Sequence, residues 1–401
     1  MRLLIYSHYF SPSVGGVETS VRLLADGLAQ ARTADGEKEF EVTLVTPCPQ
    51  GEFQDETLPF RIVRRPGKLA LLALIRRSDV LHVAGPSLTP LWMAWLMRTP
   101  AVIEHHGYQA SCLNGLLLKQ PSVSVCPGHF MLGDFGECVR CFAHTSSRAR
   151  GISKLMTMFP RRFFTNRAVA NLAITRHVMN RQSLPNSKVI YYGIEFPPDV
   201  LNEGLSPRSS NDITFAYVGR FVQEKGIPIL LRAAALLRSE GLRFSILLIG
   251  DGEQRPELEK MILAERLRDT VRITGFLRGD ELASTFREVD VLVMPSLWEE
   301  TAGLAAIEQM IQGRLVIASA IGGLAEIVDG AGLTFPAGNE VELADRMREV
   351  VKNPGKFQDL VLRTRKRSRE LFNLRRFIDE HAAVYRGIRG TVFADTGTKC
   401  R

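Results

Sequence analysis

The sequence predicts an α/β protein built from two doubly wound, parallel-sheet domains. Three observations carry this. Short apolar runs alternate with amphipathic stretches of helix length along most of the chain, the pattern of repeated βαβ units. The length of 401 residues exceeds one ordinary domain and suits two. A Pro-, Ser- and Asn-rich segment from Phe196 to Asp212 separates two sets of runs and reads as the interdomain linker.

In the first half, Leu3 to Tyr6 reads as a strand, followed by Gly15-Gly16 and a helix over roughly Glu18 to Ala31. Glycines in such a loop let backbone approach a ligand closely, although the three-glycine dinucleotide spacing is missing. Strands follow at Phe40 to Val45, Arg61 to Arg64, Val80 to Val83 and Ala101 to Ile103, with a helix near Thr89 to Met97. Ligands of parallel sheets gather at the C-terminal strand ends, where His82 and His106 fall. Either histidine could serve a site or simply pack there. Asn171 to Ile174 and Lys188 to Glu195 complete the first domain.

Between these strands lie two unusual segments. Cys112, Cys126, Cys138 and Cys141 fall within about thirty residues and end in a Cys-x-x-Cys. Structural zinc, a disulfide and unligated thiols all remain open for them. Arg148 to Arg167 mixes six basic residues with Leu155, Met156, Met158, Phe159, Phe163 and Phe164. That mixture suits an anionic membrane interface or a helix with one core face. Pro160 is expected to interrupt it.

In the second half, Ile213 to Val218 is a strand, then Gly219 to Gly226, then a helix from Ile227 to Ser239. Arg220 and Lys225 stand five apart on a glycine-bounded turn, which suits a diphosphate. Phe244 to Ile249 runs into Gly250-Asp251-Gly252, and Val271 to Leu277 follows. The buried run Val291 to Met294 leads through Glu299 and Glu300 to Gly303, which opens a helix from Leu304 to Gln312 containing Glu308. Helix N-terminal amides favour phosphate, whereas carboxylates accept hydrogen bonds from hydroxyls. Phosphate beside sugar-like rings describes a nucleotide sugar; solvated surface acids are the alternative.

Composition fits a soluble globular protein, with 45% apolar and 23% charged residues. Leu69 to Ile75 is too short to span a bilayer, and the N-terminus lacks a signal-peptide pattern, so a cytoplasmic protein is expected. A net charge of +8 admits nucleic acid, an anionic membrane or an anionic substrate. No nucleic-acid motif supports the first.

The stretch from Pro295 to Gly323 resembles the Glu-x7-Glu signature of retaining GT-B glycosyltransferases of the group 1, or family 4, class, with Glu300 and Glu308 matching its acids. Gly219 to Gly226 matches the family's Gly-Arg-x4-Lys-Gly block, Gly250 to Gly252 its Gly-x-Gly turn, and Gly322 to Glu326 its Gly-Gly-x-x-Glu turn. Thr301-Ala302 stands where Pro-Phe is usual, and Tyr192 and Glu195 replace Asn and Asp at the linker entry. The resemblance implies two facing Rossmann-like domains with a cleft, residues 1–200 and 201–373, and a helix over 374–390 crossing back to the first. It implies catalytic roles for Arg220, Lys225, Glu300 and His106, and donor contacts at Gly15, Gly16, Gly219, Gly250, Gly252, Phe276, Leu277, Thr301, Ala302, Gly303, Leu304 and Glu308.

The implied activity is transfer of a hexosyl or N-acetylhexosaminyl group, with retention, from a UDP- or GDP-linked donor to a hydroxyl of a glycan or lipid-linked acceptor. No cofactor is then required for catalysis, and zinc would be structural. Polysaccharide biosynthesis, at the inner membrane face, is the expected setting. A nucleotide-sugar epimerase of the same fold and a non-catalytic nucleotide-binding scaffold are the alternatives.

Overall fold

Apolar runs four to six residues long become strands here because both faces of each sheet are covered by helices. A computed structural model describes residues 1–13, 15–196 and 212–397, with side chains through 388. Its described residues divide into two units: 1–117, 126–195 and 371 onward; and 118–125 with 196–370.

The chain begins β1 (Arg2–Ser7), α1 (Gly16–Gln30), β2 (Glu41–Thr46), β3 (Arg61–Arg64), α2 (Lys68–Arg77), β4 (Val80–Ala84), α3 (Leu88–Met97) and β5 (Ala101–His105). A short antiparallel pair, β6 (Leu118–Lys119) and β7 (Ser124–Val125), precedes α4 (Phe135–Ala143) and α5 (Arg148–Asn166). Then come β8 (Ala170–Ala173), α6 (Arg176–Gln182) and β9 (Ser187–Val189). The seven-stranded sheet runs β3-β2-β1-β4-β5-β8-β9, all parallel. Strand alternation sends Leu3, Ile5, Val42 and Val102 into one core and Leu4, Val45, Leu81 and Ile103 into another. The first core lies against α1, with Val21, Leu24 and Leu28, and the second against α2 and α3, with Leu71, Ile75 and Leu91.

The second sheet is built from β10 (Ile213–Val218), β11 (Phe244–Ile249), β12 (Val271–Gly275), β13 (Val291–Met294), β14 (Leu315–Ser319) and β15 (Leu333–Phe335). Its order is β12-β11-β10-β13-β14-β15, again all parallel. The helices between and after these strands are α7 (Ile227–Ser239), α8 (Arg255–Ala264), α9 (Gly279–Phe286), α10 (Leu304–Ile311), α11 (Gly322–Val328), α12 (Glu340–Lys352) and α13 (Gln358–Leu371). One face buries Phe215, Tyr217, Ile246 and Val293 against Leu230, Leu237 and Met347 of α7 and α12. On the other face α10 and α11 pack on β14.

The last helix, α14 (Leu374–Gly397), belongs to the first unit, where Phe377 and Tyr385 enter its core. It runs beyond residue 390, where the helix is expected to end. Pro160 does not interrupt α5, contrary to expectation. A proline removes one helical bond, at about 3 kcal/mol. Packing of α5 against α3 and α4, with Gly151, Met158 and Thr165 buried, holds the helix through that position. The linker expected over Phe196 to Asp212 lies, from 197 to 211, outside the described residues. Among the described residues no helix is long and apolar enough to cross a membrane.

Candidate active site

Strand order in the second sheet reverses between β10 and β13, and ligands of such sheets bind where the order reverses. The turn after β10 and the loop after β13 therefore meet. Gly226 has φ +68°, and a Cβ there would stand 2.0 Å from the Pro295 carbonyl oxygen, so only glycine lets the two loops touch. Leu297 N–H donates to the Glu224 carbonyl at 2.8 Å, which fixes the contact.

This junction joins two of the expected residues. Lys225 Nζ lies 2.8 Å from Glu300 Oε1, and Ser296 Oγ donates to the same oxygen. Lys225 also stands over the Trp298 ring, 5.6 Å from its centroid. Glu300 is only 4% exposed. Burial works against its charge, but Lys225 and Ser296 outweigh it and hold the carboxyl below the ordinary range. Arg220 differs: its side chain is exposed and, among the described residues, has no ion-pair partner. Its carbonyl accepts from the buried Tyr217 hydroxyl at 2.9 Å, which pins the backbone and leaves the guanidinium free.

Gly303, at φ +75°, caps α10, whose first amides point out beside Glu300. Thr301 and the buried Ala302 lead into it, and Leu304 is the first helical residue. Glu308 lies farther along α10, exposed and without a hydrogen-bond or ion-pair partner among the described residues. Solvent reaches it, yet the protein around it raises its carboxyl. The glycine turns interlock: Gly219 N–H donates to Ile249 O at 3.0 Å, and Gly250 N–H to Gly275 O at 2.9 Å. A Cβ on Gly250 would lie 1.9 Å from the Gly219 carbonyl oxygen, and one on Gly252 would lie 2.5 Å from that of Phe221. Phe276 is exposed after β12, with Arg278 4.8 Å from its ring centroid and Leu277 half-buried beside it. The strand expected to reach Leu277 ends at Gly275.

The remaining expected residues belong to the first unit. Gly15 precedes α1 in extended backbone, and a Cβ there would stand 2.5 Å from Glu18 Oε2. The Glu18 carboxylate therefore lies at the turn where Gly16 starts the helix. His106 follows β5, almost wholly buried, with both ring nitrogens facing protein: Nδ1 is 2.8 Å from the Tyr192 hydroxyl and Nε2 is 3.4 Å from Glu104 Oε2. Its ring stacks on Tyr192 at 5.7 Å. As placed, it positions rather than reaches outward.

Glu104 is a residue that sequence reasoning missed. Burial opposes its charge, but His106, His381 and His82 around it hold the carboxyl well below the usual range. His82 Nε2 is 3.4 Å away and His381 Nε2 3.7 Å, while the Tyr385 hydroxyl lies 2.9 Å from His82 Nδ1. Burial pushes the His82 imidazole down, so this histidine is a core residue. Only a Glu-His-His run signalled the cluster, because His381 and Tyr385 come from α14.

Cys112 Sγ donates to Asn114 Oδ1 at 2.9 Å, Asn114 Nδ2 reaches Cys141 Sγ at 3.8 Å, and Gly128 N–H donates to Cys126 Sγ at 3.4 Å. The Cys138 thiol is pushed up to about 12 by burial and by the other three cysteines. Among the described residues no group of three or more His, Cys, Asp or Glu side chains is arranged to hold a metal.

Residues 205–369 match the family of glycosyl transferases group 1. The 2-deoxystreptamine glucosyltransferase of Streptomyces kanamyceticus is 37% identical over 140 residues, 34% of this chain and 36% of that one. The alpha-D-kanosaminyltransferase of the same organism is 32% identical over 174 residues, 43% and 45% of the two chains. The match thus spans less than half the length of these relatives. Over the whole chain the fold is that of HepE from Anabaena, solved in complex with UDP (TM-score 0.69, 17% identity, 96% of this chain and 100% of that one). Sucrose-phosphate synthase from Thermosynechococcus elongatus gives a TM-score of 0.70 at 19% identity, covering 97% and 99%. These likenesses give the architecture: GT-B.

Proposed function

We propose, from the match of residues 205–369 to the glycosyl transferases group 1 family, that the chain moves a sugar from a nucleoside diphosphate to an acceptor hydroxyl. One observation carries this reading: an exposed guanidinium at Arg220, unpaired among the described residues, and the ammonium of Lys225 stand on the turn at the strand-order reversal, where Lys225 meets Glu300 ahead of α10. Fixed positive groups there would meet the charge that develops on a leaving diphosphate. Glu308, exposed and without a side-chain partner among the described residues, suits ribose hydroxyls, and Glu300 suits those of the sugar.

In the proposed step the anomeric carbon–phosphate oxygen bond breaks and the carbon–acceptor oxygen bond forms on the same face. The hydroxyl proton passes to the leaving phosphate, and the anomeric configuration is retained. No carboxylate is offered as a covalent nucleophile, unlike the two-carboxylate hydrolase scheme. Glu300 supports this reading because Lys225 and Ser296 already engage its buried carboxylate.

The donor is proposed to be a UDP- or GDP-linked hexose or N-acetylhexosamine, and the acceptor a glycan or lipid-linked hydroxyl at the inner face of a membrane. HepE, with UDP bound, favours uridine. The test is a panel of UDP-, GDP- and ADP-sugars, read as released nucleotide with and without membrane lipid extract, with NMR of the product's anomeric proton. Release from none of the donors, or an inverted product, overturns the proposal. Donor conversion without any acceptor would point to an epimerase.

A further inference from the structure

The first unit carries an apolar face that its own fold leaves bare. On α5, Ile152, Met156, Phe159 and Phe163 succeed one another at steps of four, three and four, a single stripe of a helix. All four are exposed, between 42% and 63%. Met158 and Thr165 of the same helix are buried, so the stripe is not the core-facing side. Arg148 and Arg167, both exposed, extend it by four residues at either end. The Arg167 guanidinium lies 3.6 Å from the Phe163 ring centroid.

The neighbouring helix adds to this face. α3 packs beside α5 and exposes Trp92, Trp95 and Leu96, with Trp95 5.8 Å from the Phe164 ring. Neither helix contains an Asp or Glu. Between their C-terminal ends opens a cavity of about 560 Å³, walled by Trp95, Leu96 and Phe164 and edged by Arg98 and Arg167. Among the described residues neither arginine has an ion-pair partner.

Seven large apolar side chains in water across two helices mark a docking surface. Tryptophan and arginine at its edges, with no acid among them, match the boundary between acyl chains and anionic head groups. A second copy is a poor occupant, because a two-fold contact would set arginines against arginines. We propose that this face docks on an anionic lipid bilayer, with the α5 stripe and the α3 tryptophans entering the acyl boundary and a lipid phosphate seated between Arg98 and Arg167. The proposal deepens the membrane-side placement above, and it is independent of the donor chemistry.

The experiment is co-flotation of the full chain with vesicles of phosphatidylcholine alone or containing phosphatidylglycerol. The wild type floats with the anionic vesicles at low salt and is released at about 0.5 M salt. Arg98→Gln with Arg167→Gln lowers partitioning about 30-fold. Ile152→Glu with Met156→Glu abolishes it, while the melting temperature and release of nucleotide to a soluble acceptor stay as in the wild type. Flotation that is equal on neutral vesicles, or unchanged in either double variant, overturns the proposal. So does a concentration-dependent dimer that the Ile152→Glu/Met156→Glu variant dissolves while the wild type ignores vesicles. Loss of nucleotide release with intact flotation would count against the sugar-transfer reading alone.

Discussion

Arg220 and Lys225 sit on one turn, yet the structure separates what each does, and the separation can be measured. Arg220 is exposed and has no ion-pair partner among the described residues, so Arg220→Ala removes no ion pair that the described fold uses. Stability should stay within about 0.5 kcal/mol, as for surface substitutions generally. Turnover should fall about 100- to 1,000-fold, roughly 3–4 kcal/mol, as when one preorganised charge-stabilising donor is lost. Lys225→Ala should cost both. It strips the cation from a carboxylate that is 4% exposed. Breaking a buried pair costs about 3–5 kcal/mol. Lys225 is itself 17% exposed, so water can enter in its place and the lower figure applies.

The pH dependence sharpens the test. The wild-type Glu300 carboxyl is held below its unfolded value, so it stabilises the protein above that value and the contribution fades as pH falls. Without Lys225, only Ser296 and Trp298 oppose burial, so the carboxyl rises from its wild-type position. The gap in stability between wild type and Lys225→Ala is therefore widest at neutral pH and closes in acid. Urea denaturation followed by Trp298 fluorescence, with Trp92 and Trp95 replaced by Phe, reports on the unit concerned. A stability loss in Arg220→Ala matching its loss of turnover would refute the reasoning. So would a Lys225→Ala protein as stable as wild type at pH 7.

Three further outcomes follow from other parts of the molecule. Burial lowers the His105 imidazole to about 4, and its Nδ1 has no hydrogen-bond partner, so the unfolded chain takes up a proton first as pH falls below 6.5. Stability should drop by about 2 kcal/mol between roughly pH 7 and pH 5 on this account, and His105→Gln should flatten that slope in urea titrations. Gly226→Ala should cost at least about 2 kcal/mol and impair turnover, since its Cβ meets the Pro295 carbonyl, whereas Gly136→Ala, which meets nothing, stays neutral in thermal melts. For the four cysteines we propose a structural zinc that would itself draw the thiols together, since no group among the described residues is arranged to hold a metal; elemental analysis should give near one zinc per chain, and less than about 0.2 ends it.

The second sheet was legible because its strands are buried on both faces. Ile213 to Val218 and Phe244 to Ile249, each broken by one small hydroxyl residue, and the wholly apolar Val291 to Met294 stand between glycines, prolines and charged turns, and each is a strand with those bounds. The Arg220–Lys225 and Glu300–Glu308 blocks were legible for a related reason: glycines bracket the first, Gly303 lies within the second, and glycine marks where backbone must turn or approach. Periodicity reports burial but not partners. It did not show that Lys225 and Glu300 pair across 75 residues, or that Glu104 meets His381 across a far longer separation. It also overstated Pro160, because a local rule cannot weigh the packing of α3 and α4 against α5.

The two units use buried carboxylates in opposite ways, and this bears on where chemistry can occur. In the first, Glu104 is enclosed by three imidazoles, one of which, on His106, turns its other nitrogen to Tyr192. Those groups face one another inside the protein at 3.4 to 3.7 Å rather than solvent, so the consequence is the fixed orientation of the loop after β5 and the anchoring of α14. In the second, Glu300 takes one cation and one hydroxyl, while Arg220, five residues before Lys225, and Glu308, eight residues after Glu300, have no ion-pair partner among the described residues. A buried polar cluster whose charges face one another holds a fold together. One that leaves a cation and an acid open to solvent at a strand-order reversal has its partners still to come, and a diphosphate with two hydroxyl-bearing rings supplies the complementary charge and donors.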